Sequence, residues 1–327
     1  MKKQLPLLLG GILICLIAAI SSGPTAIPLG TEEENLPIIS ETSLIVLGTV
    51  QDGGSPHIGC TKDCCRDLFL HPDKNRKVVS LGLIDPEHHK KYLFEATPDM
   101  PQQMRTLKNY ASFSEKETPD AIFLTHAHIG HYTGLMYLGK EAMDADKVPV
   151  FAMPRMKAFL EQNGPWSQLV IRNNISIQEM SNGKEIQLTR NVRIIPFLVP
   201  HRDEYSGTVG FKIIGPNKSA LFIPDIDKWE KWDNDIIEEI SIVDYAFIDG
   251  TFYDGQEINN RDISEIPHPF IIESMDKFKG LPPEERTKIY FIHFNHTNPG
   301  LNPNSEQSGR IVENGYNVAR IFDIISL

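Results

Sequence analysis

Three histidines stand within six residues in Thr125-His126-Ala127-His128-Ile129-Gly130-His131. Neutral imidazole is the commonest protein ligand for zinc and a good one for iron. Three of them in one tight turn make a metal-holding loop rather than a merely polar one. Further metal-competent residues follow: His201, Asp225 and His293. A second group is softer. His57, Cys60, Cys64 and Cys65 fall within nine residues, and four nitrogen and sulfur ligands would close a tetrahedron around a structural zinc. The alternative is free or oxidised thiols in a surface loop. Cys64 and Cys65 are adjacent, a poor geometry for an ordinary disulfide. Beyond the N-terminal apolar run that holds Cys15, the cysteines number three, which cannot all pair among themselves.

Short apolar runs must position these residues. The run 121–124 reads as a buried strand that delivers the histidine loop, and Leu135, Met136 and Leu138 follow at helical spacing. Strand-like runs at 192–198, 219–223 and 288–292 end just before His201, Asp225 and His293; a further run, 245–248, ends in Asp249-Gly250-Thr251. Six metal-competent residues just past strand ends point to one shared site. The run 43–48 is another buried strand, and a glycine-rich turn follows it. No Gly-Lys-Ser/Thr is present there, so it is not a phosphate loop. That turn could bring Gln51 or Asp52 to a site at the strand ends. Runs 78–84 and 91–95 read as a hairpin. Thr97-Pro98-Asp99 opens a helix, and 154–160 and 269–279 read as two more. The segments 169–171, 175–177 and 185–188 read as successive short strands, and 207–214 with 219–223 as a hairpin.

The 327 residues are 41% hydrophobic and 23% charged, which suits one large globular domain or two small ones. The formal net charge is -11, with no Lys/Arg-rich block, so nucleic acid is disfavoured as a partner. The N-terminus differs from the rest. Met1-Lys2-Lys3-Gln4 is basic, 5–20 is uncharged and apolar, and Ser21-Ser22-Gly23 supplies small residues. Residues 1–22 read as a secretory signal peptide or an N-terminal anchor, the run being short for a full span. Ile14 before Cys15 departs from the small residue of a lipid-attachment box. Residues 23–42, with three prolines and Glu32-Glu33-Glu34, read as a linker. The folded part is then expected outside the cytoplasm, in a periplasm or attached to a membrane through the N-terminus.

The order strand, His-x-His-x-x-His loop, distant His, distant Asp, distant His resembles the metallo-β-lactamase fold superfamily, from about Ser43 to the C-terminus. The resemblance implies an α/β fold, a four-layer αββα sandwich over 43–327, with a metal site at one edge of its two sheets. Within the superfamily the chain is similar to the branch of pyrroloquinoline-quinone (PQQ) synthesis protein B. Val46-Leu47-Gly48-Thr49 with Gly53-Gly54 and the cysteines, Phe94-Glu95-Ala96-Thr97-Pro98-Asp99, and Phe291-Ile292-His293-Phe294-Asn295-His296-Thr297-Asn298-Pro299 carry that likeness. By resemblance, His126, His128 and His201 hold a first metal, His131 and His293 a second, and Asp225 bridges them. The superfamily loop usually reads His-x-His-x-Asp-His, and Gly130 stands at its Asp position. That removes one carboxylate, which Asp227 or Asp52 could replace, and Gly130→Asp is expected to tighten the second metal.

The implied chemistry is hydrolysis of a small-molecule ester, lactone, amide or phosphoester at one or two zinc ions. Asp225 would orient the attacking water, with His296 or Tyr132 donating to the leaving group. Three histidines and a carboxylate also suit ferrous iron, which would fit an oxygenase or another role in PQQ formation. The branch acts on a cytoplasmic precursor, whereas the leader here implies export. A non-catalytic metal-binding protein is the third expectation.

Overall fold

The computed structural model describes Met1, residues 37–258 and residues 262–327. The leader and most of the linker expected from the sequence fall on residues outside the described ones. Among the described residues no helix is long and apolar enough to cross a membrane.

The first sheet contains β1 (Ser43–Gly48), β2 (Ser80–Asp85), β3 (Lys90–Phe94), β4 (Ala121–Phe123), β5 (Val148–Ala152) and β6 (Ile175–Glu179). The second contains β7 (Ile186–Gln187), β8 (Arg193–Leu198), β9 (Val209–Ile214), β10 (Ser219–Ile223), β11 (Tyr245–Asp249), β12 (Ile289–Ile292) and β13 (Asn317–Val318). The last strand, β14 (Ile324–Ser326), returns to pair with β1. The orders are β14-β1-β2-β3-β4-β5-β6 and β13-β12-β11-β10-β9-β8-β7.

Alternation within the strands makes the layers. Side chains of a strand point to opposite faces in turn. Leu44 and Val46 of β1 belong to the core between the sheets, whereas Ile45 and Leu47 pack with the helix Met100–Tyr110 outside. On the other sheet Phe247 faces inward, and Ala246 and Ile248 pack with the helices Ile236–Ser241 and Ile271–Phe278. The result is the αββα sandwich. Its middle is aromatic: Phe94 stacks on Phe123 at 5.0 Å and meets Phe211 edge-on at 5.4 Å.

Strand direction places the site. Within the first sheet β3 and β4 are parallel, and β1 joins them in direction through the antiparallel β2. Within the second, β10, β11 and β12 are parallel, and β8 matches them through β9. In each sheet the strands followed by candidate ligands therefore share a direction, and their carboxyl ends lie at one edge.

Three local expectations change. Leu169-Val170-Ile171 belongs to the helix Trp166–Ile171, not to a strand. A short apolar run cannot by itself separate strand from helix. The residues after the histidine loop form a 3-10 helix, Thr133–Leu138, rather than an α-helix. The helix Glu306–Glu313 and the strands β13 and β14 were not foreseen.

Candidate metal centre

The sequence brings a first quartet together. His126 and His128 leave β4, His201 follows β8, and Asp225 follows β10. His126 Nε2 lies 2.8 Å from His128 Nδ1 and 3.3 Å from Asp225 Oδ2. His201 Nε2 lies 3.3 Å from His128 Nδ1 and 3.1 Å from the same Asp225 oxygen. Ligand atoms about 2.05 Å from a tetrahedral ion stand roughly 3.3 Å apart. The quartet has that spacing.

A second quartet contains His131, His293, Asp225 and Asp52. Asp52 Oδ1 is 2.8 Å from His131 Nε2 and 3.3 Å from His293 Nε2. His131 Nε2 stands 4.0 Å from Asp225 Oδ2, so one carboxylate oxygen faces both quartets. Asp227 is elsewhere: its Oδ1 lies 3.2 Å from His201 Nδ1, on the far side of that ring. Of the two carboxylates offered as replacements at the Gly130 corner, Asp52 is the one that reaches it.

The remaining ring nitrogens are held from behind. His126 Nδ1 meets Thr125 Oγ1 at 2.9 Å, and His293 Nδ1 meets Thr251 Oγ1 at 2.8 Å. His128 Nε2 faces Glu204 at 3.3 Å. His131 Nδ1 lies 3.4 Å from Glu95 Oε1, and both groups are fully buried. Such partners fix the ring and its tautomer, leaving the opposite nitrogen for a ligand role. Glu95 and His293 both have φ near +70° (74° and 67°), where the chain turns sharply out of β3 and β12.

Burial and charge compete across the centre. Burial works against a charged His201, but Asp225 and Asp227 outweigh it and its pKa is pushed up to about 10. His131 is raised well above the usual imidazole value, because Asp52 and Glu95 overcome its burial. Burial, reinforced by the neighbouring His131, drives His126 well below it. Despite burial, Asp52 and Asp225 are held well below the usual carboxylate range by the surrounding histidines. These are donor sets in which protons occupy positions that a divalent cation would take.

A trio that sequence reasoning missed adjoins Asp225. His268 Nδ1 lies 2.8 Å from Asp249 Oδ2 and 3.2 Å from Asp225 Oδ1. Asp249 ends β11 as the ligands end their strands, and that signal was readable. His268 follows no strand, and nothing local marked it.

The cysteine group is real, with one correction. Cys60, Cys64 and Cys65 gather with His296, not with His57. Cys64 Sγ is 3.9 Å from both Cys60 Sγ and Cys65 Sγ, and sulfurs about 2.3 Å from a tetrahedral zinc stand roughly 3.8 Å apart. The three cysteines are free thiols. Burial, then the neighbouring Cys65, pushes the Cys64 thiol up to about 12. His57 instead stacks its ring on His296, centroids 4.5 Å apart. His296 therefore stands with the thiols and is not placed as a proton donor at Asp225. Tyr132 has its ring packed edge-on against Phe159 and Trp166, at 5.4 and 4.9 Å. It lines a cavity of about 510 Å³ over the centre together with His128, Ile129, Arg202, Glu204 and Tyr205.

The sequence profile described as the Beta-lactamase superfamily domain matches residues 90–294, more than half of the chain. The chain belongs to this superfamily. Coenzyme PQQ synthesis protein B of Methylorubrum extorquens (strain PA1) is 21% identical over 296 residues, covering 84% of this chain and 97% of that protein. The crystal structure of Zn(2+)-bound PqqB from Methylobacterium extorquens superposes with a TM-score of 0.70 at 20% identity, over 87% of this chain and all of that one. A diphosphatase from the PhnP family superposes at 0.59 and 20% identity, over 88% of this chain and 99% of that one. At these identities the superpositions bear on the fold alone, and they agree with the sandwich described above.

Proposed function

We propose that the chain is a metal-dependent hydrolase acting on a small-molecule ester, lactone, amide or phosphoester. The observation that carries this is the shared Asp225 oxygen: two ligand quartets from both sheets meet on it beneath an open cavity. His126, His128, His201 and Asp225 would hold one ion, and the second quartet another. Zinc suits imidazole and carboxylate donors of this kind, and the superposed PqqB structure is described as Zn(2+)-bound. A bound divalent ion lowers the pKa of a water ligand to near neutrality and polarises the bond to be broken. The protein's own part is orientation and proton handling. Asp225 Oδ2 sits between the quartets, where it would orient the nucleophilic water. His268 is held at Asp225 by Asp249, and its pKa is raised because the two carboxylates outweigh its burial. It can thus hold a proton beside the reacting atoms for the leaving group. Tyr132 lines the cavity and its burial raises the phenol pKa, so as a protonated donor it would orient substrate.

The test is turnover of ester, lactone, lactam and phosphodiester substrates by zinc-loaded protein, with His128→Ala and His201→Ala as controls. No turnover of any class by fully loaded protein would sink the hydrolase reading. A second reading draws on the curated relatives named Coenzyme PQQ synthesis protein B: oxidation or processing of a PQQ precursor at ferrous iron. Iron in protein purified under anaerobic conditions would favour it. The basic and apolar N-terminal sequence supports work outside the cytoplasm, which cell fractionation tests.

A further inference from the structure

The superfamily loop places a carboxylate one residue before its last histidine, and here that residue is Gly130. A Cβ on Gly130 would lie 2.5 Å from Asp52 Cα and 2.8 Å from Asp52 Oδ1. The backbone after β1 thus runs through the space that a side chain at 130 would fill. It brings its own carboxylate to the same corner.

That segment is fastened at several points. Gln51 N–H donates to Phe294 O at 2.8 Å and Phe294 N–H donates to Thr49 O at 2.7 Å, so the exit of β1 is tied to the exit of β12. His57 closes the far end. Its backbone N–H donates to Cys65 Sγ at 3.3 Å, and its ring stacks on His296. The same ring presses on the α-carbon of Gly53, where an added Cβ would meet His57 Cδ2 at 2.4 Å. A continuous path of contacts therefore runs from the cysteine–histidine group through His57 and Gly53 to Asp52, and on to His131 and His293.

We propose that Asp52 is the carboxylate ligand of the second ion, delivered by a strut that His57 locks onto the cysteine–histidine group. Gly130 is then not a lost ligand. It is the opening that admits a ligand from another part of the chain. His57 is a positioning residue: its ring borders the same cavity beside Asp52 and Gly53, belongs to neither histidine quartet, and acts through Asp52. A thiolate bound to a cation is a fixed acceptor for the His57 amide, so the cysteine group sets where the strut ends. The inference rests on the two-ion reading of the centre above, but not on hydrolysis.

Cobalt(II) titration of the metal-free full chain tests it. Sulfur-to-cobalt absorption reports the cysteine group, and the d–d bands report the histidine groups. Wild-type protein is expected to take up about two equivalents in the histidine groups and about one at sulfur. Asp52→Ala and His57→Ala should each weaken one histidine-group equivalent by roughly 10–100-fold, the usual loss when a ligand or its support is removed, with the sulfur band intact. His57→Phe, which keeps a ring for stacking and for contact with Gly53, should titrate like wild type. The retained sulfur band shows that each variant is folded around the strut's anchor. If Asp52→Ala titrates like wild type, Asp52 is not a ligand. If His57→Ala does so, or His57→Phe loses the sulfur band, the strut is wrong. Metal uptake as expected without turnover would remove only the hydrolase reading.

Discussion

Replacing Gly130 by alanine is the sharpest perturbation of the centre, because it adds one carbon and no charge. That carbon would start 2.5 Å from Asp52 Cα, against an ordinary contact of at least 3.4 Å, so about 0.9 Å (3.4 − 2.5) must be found. The obstacle is backbone rather than the end of a flexible side chain, and the Gln51–Phe294 hydrogen bond holds it in place. Overpacking of this kind costs about 1–3 kcal/mol. If the strut yields instead, Asp52 Oδ1 moves by a similar distance from His131 and His293, to which it now stands at 2.8 and 3.3 Å. The second ion should then bind roughly 10–100-fold more weakly, as for a disturbed support. Gly130→Asp meets the same backbone, so it should loosen the second ion rather than tighten it, reversing the expectation from the loop pattern alone. Elemental analysis after dialysis against a zinc-buffered series measures the affinity, and a thermal melt measures the strain. A Gly130→Asp protein that holds zinc more tightly than wild type, with an unchanged melting point, would refute the reasoning.

Metal affinity at the histidine groups should rise with pH from 6 to 8. His201 and His131 have raised pKa values, so below those values an incoming ion must displace their protons; competition with a chromophoric chelator reads the slope. His296→Ala should weaken cobalt binding at the thiols and shift the sulfur-to-cobalt band, whereas His57→Phe leaves both unchanged, since His296 and not His57 stands with the thiols. Glu257 is pushed up to about 7 because burial outweighs the donors Tyr253 N–H and Thr297 Oγ1. A carboxyl with a raised folded pKa adds stability below its unfolded value, and that stability is lost as pH rises through about 7. Glu257→Gln should therefore melt higher than wild type at pH 8, with the advantage gone at pH 5; equal differences at both pH values would overturn this. Chelation should lower the melting temperature by several degrees, since an ion at a thousand times its dissociation constant contributes about 4 kcal/mol.

The ligands were legible because they follow apolar strands closely, His126, His128 and His131 after one strand and His201, Asp225 and His293 after one each, and a local pattern needs no tertiary knowledge. His126, His128, His131, His201, Asp225 and His293 all come together as that pattern implied. Two features of the centre depend on packing that no local pattern carries. Between His57 and His296, proximity in sequence to the cysteines favoured His57, but the choice depends on how the chain after β1 bridges the chain after β12, at Val50 and Phe294. Asp52 was one of two carboxylates offered for the Gly130 corner, and the sequence did not choose between it and Asp227. Gly130 is 78 residues away from Asp52, and the exclusion between them is a fact of packing. His268 was invisible because it reaches Asp225 from an irregular segment before the helix Ile271–Phe278. Leu169–Ile171 was misread because three apolar residues carry no period of their own.

The shared carboxylate has a consequence for how the sandwich holds together. Along most of its depth the two sheets are joined by apolar packing among Phe94, Phe123, Phe211 and Phe222. At the carboxyl edge that packing stops and is replaced by imidazoles and carboxylates drawn from both sheets. Asp52 and His131 come from one sheet, His293 and Asp225 from the other. Ions there would act as rivets between the layers, closing loops of up to 241 residues between Asp52 and His293. Without them the same edge is a cluster of buried charges with little dispersion energy to hold it shut. The metal-free protein should then open from this edge first, with amide exchange rising at the ends of β4 and β12 while the phenylalanine layer stays protected.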